Sequence, residues 1–326
     1  LLIERRYKRD GEEEGKEEAE EGKRGFRMKG WIICKEKNMD THENRRFQEV
    51  AQEEGIELEL HDPSDFDIIA TKGGRKSLIF QGQEVSFPQF VLPRMGSGTT
   101  YFGLAVIRQL ERLKVPVINS AESIERAKDK LHTMQILAAD NLPTPKTMLA
   151  RFPVNVDVIE KEFECPLIIK TLSGSEGKGV FLCENREHLE DLMDILNEVR
   201  DVNVNFIVQE FVSSSKGKDI RVFVVGGMPV VAMLRKGKEG KFKANIAAGG
   251  SGEPYELNPE VEWLSVEASR LLGLDIAGVD ILFDGEHFKV CEVNSAPAFE
   301  GLEKATGMNV PEQIYHYIRV RLGHFT

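Results

Sequence analysis

Cysteine, histidine and long apolar runs are all scarce in this 326-residue chain. The four cysteines, Cys34, Cys165, Cys183 and Cys291, lie far apart, which leaves neither a zinc or redox Cys pair nor a disulfide framework. Three of them sit in apolar, strand-like runs, so they read as reduced, buried thiols of a reducing compartment, and a cytoplasmic location is expected. The seven histidines never form His-Glu-x-x-His, so zinc hydrolysis has no support. No apolar run approaches the roughly 18 residues of a spanning helix, and the N-terminal stretch lacks the apolar core of a secretory signal. Positive charge is short as well: 43 Lys and Arg against 54 Asp and Glu leave a net charge of −11. That balance argues against nucleic-acid or anionic-membrane partners, which use broad basic faces. It still permits a local basic cleft for an anionic substrate.

What is present is ordinary for a globular protein with a sizeable core, in a length that suggests two domains or two to three packed subdomains. Residues 1–27 stand apart. Glu12 to Arg24 is almost entirely Glu, Lys and Gly, a stretch that cannot bury enough apolar surface to offset chain entropy and is expected to be a charged, disordered extension. The chain does not open on Met, and Met28-Lys29-Gly30-Trp31 reads as the natural start of a first strand. From there strands at 30–34, 56–60, 90–93 and 115–119 alternate with helices at 43–54 and 101–113, which implies a parallel sheet in an α/β unit over 28–120. A helix over 123–141 and the proline-rich Leu142-Pro143-Thr144-Pro145 follow, opening a small central unit over 121–212. The last unit, 213–326, carries hairpin signals at Gly226-Gly227 and Asp284-Gly285 and reads as a mixed-sheet α+β domain.

Four features carry chemistry. Gly278-Val279-Asp280-Ile281 and Val290-Cys291-Glu292-Val293-Asn294 flank the turn at Asp284-Gly285. Alternation puts Glu292 and Asn294 on one face, and the hairpin sets Asp280 close to opposite Glu292. Two carboxylates and an amide oxygen suit a hard divalent cation such as Mg²⁺, and acids in such apolar strands are costly without a partner. Second, Lys170 ends the apolar run Leu167-Ile168-Ile169, and Ser173-Gly174-Ser175-Glu176-Gly177-Lys178-Gly179 follows. Backbone N–H groups of such a loop can wrap phosphates with the lysine as a point charge; a plain glycine hairpin is the alternative. Lys178 precedes Gly179, so this is not a Walker A loop. Third, Gln209 and Glu210 interrupt the apolar run Ile207-Val208 before Phe211, where a strand edge could meet adenine. Fourth, Arg221, Arg235, Lys243 and Asn245 cluster basic and amide groups within an acidic chain, in a pattern fit for carboxylate or phosphate; a surface salt-bridge network is the alternative.

Taken together these runs resemble the ATP-grasp superfamily, and within it the RimK-type glutamate ligases. The match is carried by Arg126-Ala127-Lys128-Asp129-Lys130, Ile169-Lys170 with its loop, Val208-Gln209-Glu210-Phe211, Asp219-Ile220-Arg221, Gly237-Lys238-Glu239-Gly240, Gly278-Val279-Asp280, Glu292-Val293-Asn294-Ser295-Ala296-Pro297 and Glu300-Gly301-Leu302-Glu303. Arg94-Met95-Gly96-Ser97-Gly98 adds to it. The resemblance implies an ATP-grasp fold with an N-terminal parallel-sheet domain, a central lid and a C-terminal mixed-sheet domain. It implies ATP bound by Lys130, Lys170, Ser175, Gly177, Gly179, Gln209, Glu210, Phe211 and Asp219, with Mg²⁺ or Mn²⁺, as two ions, on Asp280, Glu292 and Asn294. Arg221, Arg235, Lys243 and Asn245 would face the acyl phosphate or the acceptor. Lys243 stands where the family commonly has arginine, which keeps the charge but loses the planar fork. The implied activity joins an acidic amino acid such as glutamate to a protein C-terminal carboxylate. A small-molecule dipeptide-type ligase of the N-acetylaspartyl-glutamate or citryl-glutamate kind, and a non-catalytic nucleotide-binding regulator, are the rivals. A homo-oligomer is the implied assembly.

Overall fold

A computed structural model describes residues 28–71, 77–151, 154–172, 179–198, 205–240, 242–244 and 249–324; the charged stretch 1–27 lies outside them. The first strand, β1 (Lys29–Ile33), leads into helix α1 (His42–Glu53), whose first turn is capped by the Thr41 hydroxyl. Phe47, Val50 and Ala51 recur at helical spacing and are buried. Strand β2 (Glu57–His61) follows, then a short antiparallel meander of β3 (Phe66–Ile68), β4 (Leu78–Phe80) and β5 (Gln83–Glu84). With β6 (Phe90–Pro93) the first sheet has the order β2-β1-β6 and both pairings are parallel, as the strand–helix alternation predicts. Helix α2 (Tyr101–Arg112) closes over it.

Two sequence expectations fail locally. The run 115–119 forms no full strand and contributes a single parallel bridge, Val91 to Val117. Pro116 has no N–H to give, and Asn119 turns the chain at φ +35°, outside strand geometry. The single helix expected over 123–141 is two, α3 (Ala121–Lys128) and α4 (Lys130–Ala139). Asp129 leaves helical geometry at ψ 105°, and its carboxylate accepts from the N–H groups of Leu131 and His132. A short acid at the break offers the backbone a cap in place of continued helix, and it makes Lys130 the first residue of a new helix.

The middle of the chain builds an antiparallel sheet ordered β7-β10-β8-β9 from β7 (Thr147–Leu149), β8 (Leu167–Thr171), β9 (Val180–Cys183) and β10 (Phe206–Glu210). Helices α5 (Val156–Glu162) and α6 (Arg186–Glu198) belong to this unit, and Ile159, Leu189 and Met193 join its core. The last sheet is antiparallel and five-stranded. Its order is β13-β12-β11-β14-β15, from β11 (Lys218–Val225), β12 (Met228–Lys236), β13 (Ser251–Pro254), β14 (Ile276–Asp284) and β15 (His287–Asn294). Helix α7 (Pro259–Leu272) supplies Val261, Leu264, Ala268 and Leu272 to the core on one face. Helices α8 (Glu300–Thr306) and α9 (Val310–Leu322) bring the N-terminal sheet against the other. There Phe47 and Phe90 share one core with Phe223, Phe299 and Tyr315, and the Tyr315 hydroxyl donates to the Phe47 carbonyl at 2.9 Å.

Asn119 ties this junction together. Its amide donates to the carbonyls of Ile276 (2.8 Å) and Ser295 (2.7 Å), and its oxygen accepts from the N–H groups of Asp275 and Ile276. It is 1 % exposed. Asn119→Leu would take this partner from four backbone groups, two in buried bonds and two in part-buried ones, at about 1–3 kcal/mol for each buried group. The expected loss of unfolding free energy in urea is about 4 kcal/mol or more; a loss below about 1 kcal/mol would mean that the junction closes without it.

Candidate active site

A cleft runs between the N-terminal sheet, the middle sheet and the last sheet. Its floor is the β14–β15 hairpin. From the turn at Gly285 the pairs count regularly, Asp284 with His287, Phe283 with Phe288 and Ile281 with Val290. A bulge then intervenes, so that Asp280 faces Glu292 and Gly278 faces Asn294. The bulge lets both Val290 and Val293 enter the core, at 0 % and 1 % exposure, and leaves Cys291 as the extra residue. Without it Asp280 would oppose Cys291. With it, Asp280, Glu292 and Asn294 share one face and all three line the cleft.

The charges around Asp280 are arranged across three adjacent strands. Arg221 on β11 pairs with Asp280 in the sheet register and forks onto its carboxylate, Nε to Oδ1 and Nη2 to Oδ2, both at 2.6 Å. Arg235 on β12 reaches Oδ2 of the same carboxylate at 2.8 Å and forks onto Asp219 at 2.6 and 2.9 Å. Burial pushes the Asp280 carboxyl upward, but the two guanidinium groups outweigh it and hold the group below its ordinary range. Asp219 goes the other way. Its burial, reinforced by the charge of Asp280, outweighs Arg235 and raises it.

Glu292 has no ion pair among the described residues and faces Lys170 electrostatically. Lys170, at the end of β8, is buried and its Nζ stands 3.5 Å from the Cys291 sulfur. Burial works against its charge, yet Cys291, Glu292 and Asp280 together raise its pKa. Burial raises the Cys291 thiol, against Lys170.

The remaining sequence candidates distribute along the same cleft. Gln209 is buried and donates to Thr147 Oγ1 at 2.9 Å. Glu210 accepts from Lys289 Nζ (2.8 Å) and from the Lys146 N–H (3.0 Å), so its carboxylate is held on two sides. Phe211, Asp219, Lys130 and Lys243 line the cleft. Lys243 Nζ lies 5.3 Å from the Phe242 ring centroid. Gly179 sits at φ +71° where the β8–β9 hairpin closes, and a side chain there would strike Thr171. Ser175, Gly177 and Asn245 lie outside the described residues.

The donor set fits a hard cation. Glu292 forms no ion pair among the described residues, and Asn294 turns its amide nitrogen toward the Gly278 carbonyl at 3.4 Å, leaving its oxygen for other use. Asp280 would have to share its oxygens with the arginines. Among the described residues no three His, Cys, Asp or Glu side chains gather as a metal cage. A cation held here must therefore complete its shell from oxygens outside that set, as Mg²⁺ does with nucleotide phosphates.

Sequence reading passed over three residues that the geometry brings in. Lys289, two positions before Cys291, anchors Glu210. Cys291 enters through the bulge. Arg94, noted only within the run Arg94-Met95-Gly96-Ser97-Gly98 that adds to the resemblance, reaches across to donate to the Pro297 carbonyl at 3.0 Å. A signal existed for the last: a cation directly after a short buried strand in a parallel sheet lies at the carboxyl edge where such sheets bind ligands.

Comparison with known proteins finds matches along nearly the whole described chain. Residues 28–124 match the RimK PreATP-grasp domain, and residues 127–318 match the RimK-like ATP-grasp domain. A probable alpha-L-glutamate ligase of Thioalkalivibrio sulfidiphilus (strain HL-EbGR7) is 37% identical over 288 residues, covering 88% of this chain and 94% of that protein. Among solved structures, the ATP-grasp ligase PsnB complexed with minimal precursor, Mg and ADP superposes with a TM-score of 0.69 at 18% identity, over 90% of this chain and 98% of that one. A RimK domain ATP-grasp protein from Sphaerobacter thermophilus DSM 20745 gives 0.68 at 18% identity, over 88% and 98%. Among the described residues, no helix is long and apolar enough to cross a membrane.

Proposed function

The chain belongs to the RimK-like ATP-grasp family of ATP-dependent acid–amino-acid ligases, and from that premise we propose that it activates a peptide C-terminal carboxylate as an acyl phosphate and joins it to glutamate. The observation that carries this reading is the convergence, in one cleft, of the Asp280–Glu292–Asn294 face with the cations Lys170, Arg221 and Arg235. A carboxylate oxygen of the acceptor attacks the γ-phosphorus of ATP, the bond to the β–γ bridging oxygen breaks, and ADP leaves. The amine of glutamate then attacks the acyl carbon. Phosphate departs, the amine loses a proton, and an amide remains. Positioning and charge stabilisation suffice for such a sequence, and no covalent enzyme nucleophile is required.

In this reading Lys130, Lys170 and the β8–β9 connection with Ser175, Gly177 and Gly179 hold the phosphates. Gln209, Glu210, Phe211 and Asp219 form the nucleoside side of the cleft, with Lys289 fixing Glu210. Arg221, Arg235, Lys243 and Asn245 face the acyl phosphate and its attacker. Asp280, Glu292 and Asn294 would hold Mg²⁺ or Mn²⁺, as two ions, which when bound offsets phosphoryl charge. Asp219 and Asp280, themselves forked by arginine, aim the guanidinium planes before substrate arrives.

The test is product analysis. The protein is incubated with ATP, Mg²⁺ and glutamate plus an acceptor peptide, N-acetylaspartate or citrate, with ADP and product masses followed together. ADP with a glutamyl increment on the peptide is expected. Increments on the small acids alone would move the assignment to a dipeptide-type ligase, and ATP binding with no ADP from any acceptor would leave a regulator.

A further inference from the structure

One lysine ties the nucleoside side of the cleft to the last sheet. Lys289 lies on β15 and pairs in register with Leu282 on β14. Its Nζ donates to Glu210 Oε1 at 2.8 Å and lies 3.1 Å from Asp284 Oδ2. Only 18 % of the lysine side chain is exposed, so these contacts are screened less than surface ones. Burial works against its charge, and Glu210 and Asp284 outweigh burial and raise its pKa.

The Glu210 carboxylate is also held from the other side. Its Oε2 accepts from the Lys146 N–H at 3.0 Å, while the Glu210 N–H donates to the Lys146 carbonyl at 2.9 Å. Each oxygen therefore has a fixed donor. The same connection is tied to β15 a second time, where the Val290 N–H donates to the Pro143 carbonyl at 2.8 Å. A carboxylate has about four lone-pair sites, so two donors leave acceptor capacity on a side chain that lines the cleft. Ile168, Phe211 and Leu282 line it as well, which sets apolar surface beside one pinned acceptor. An ionised carboxylate accepts and cannot donate. It suits a purine edge that carries an exocyclic amine. It opposes one that carries a carbonyl oxygen, because two acceptors would then meet with no proton between them.

We propose that Lys289 is a positioning residue for base selection: it holds the Glu210 carboxylate so that the cleft takes an aminopurine triphosphate and turns away an oxopurine one. This rests on the ATP-dependent reading above. The selection acts through Glu210, and the lysine itself need not touch the base. Freed of Lys289, the carboxylate keeps only the Lys146 N–H and must be ordered anew by each incoming aminopurine. An oxopurine then meets a side chain that can rotate away. Asp284 acts one step further back, by anchoring Lys289 from β14.

The test is equilibrium binding to the full chain with Mg²⁺, read by displacement of a fluorescent ATP analogue. The competitors are ATP, inosine triphosphate, which has an oxygen in place of the amine, and purine riboside triphosphate, which has neither. Wild type is expected to bind ATP about 10- to 100-fold more tightly than inosine triphosphate, with the unsubstituted purine between them. Lys289→Met should bring that ratio to within about threefold, mainly by weakening ATP, and Lys289→Arg should restore part of it. Glu210→Gln, whose amide can turn a donor toward the carbonyl oxygen, should lower the ratio too. A lysine that only held the sheets together would weaken all three nucleotides alike. That outcome in Lys289→Met overturns the proposal, as does equal binding of ATP and inosine triphosphate by wild type. Should Lys289→Met fail to fold, Asp284→Asn supplies the reading: a severalfold drop in the ratio is expected, and an unchanged ratio overturns the proposal. A Lys289-dependent ratio with no ADP from any acceptor would strike the ligase reading and leave the base site standing. ADP formation with a ratio indifferent to Lys289 would do the reverse.

Discussion

Glu292→Gln is expected to cut ADP formation by about three orders of magnitude while changing the unfolding free energy by less than about 1 kcal/mol. The expectation rests on what Glu292 does not do: it forms no ion pair with a described residue, so the fold loses little when its charge goes. Under the proposed function its position opposite Asp280 on the cleft floor would let it meet a phosphate-bound cation, and loss of charge stabilisation on the order of several kcal/mol would fall on the phosphoryl step. Asp280→Asn should differ in kind. It should abolish turnover and also destabilise, by about 3–5 kcal/mol, because it strips the shared carboxylate from Arg221 and Arg235 in a buried network. Steady-state ADP release and urea unfolding on both variants separate the two behaviours. Full turnover in either would remove the hairpin from the site. Turnover lost in Glu292→Gln only through unfolding would make the residue structural.

Much of this site can be read along the chain because its parts lie on strands with regular alternation. Asp280, Glu292 and Asn294 are acids and an amide in apolar runs around an Asp-Gly turn, and that alone places them near one another. The register is not legible. Counting outward from the turn pairs Asp280 with Cys291, and the pairing with Glu292 depends on a bulge whose cause is the burial of both Val290 and Val293, a property of the assembled core. The arginine fork shows the same limit. Arg221 and Arg235 can be called basic residues of a sheet, but that both converge on Asp280 follows from β11 lying between β12 and β14, an order that local sequence does not encode. Asp129 is the opposite case. Aspartate is among the best helix caps, so the break between α3 and α4 was available to a reading by residue type, and a hydrophobic periodicity that runs on through the break hid it. Asn119 offered no such cue. Its four bonds go to groups more than 150 positions away in the chain, and only the packing of the two ends of the protein brings them together.

Lys170→Ala should raise the ATP concentration needed for half-maximal rate by about 10- to 100-fold, the range that loss of a charge-assisted phosphate contact predicts. The side chain is buried beside Cys291, and although burial works against its charge, Cys291, Glu292 and Asp280 raise its pKa and so favour the charged form. Among the described residues only a thiol lies in hydrogen-bonding reach of this buried amine, and triphosphate oxygens would supply further acceptors. Lys170→Arg tests whether charge or shape matters. The added fork must fit between Cys291 and the β8–β10 pairing, so it should restore only part of the nucleotide affinity. Direct titration with a fluorescent ATP analogue, alongside the rate dependence, gives the answer. Unchanged binding in Lys170→Ala would show that the phosphates lie elsewhere in the cleft. A loss that Cys291→Ala reproduces would instead mean that the thiol–amine packing, and not the ammonium charge, shapes the pocket.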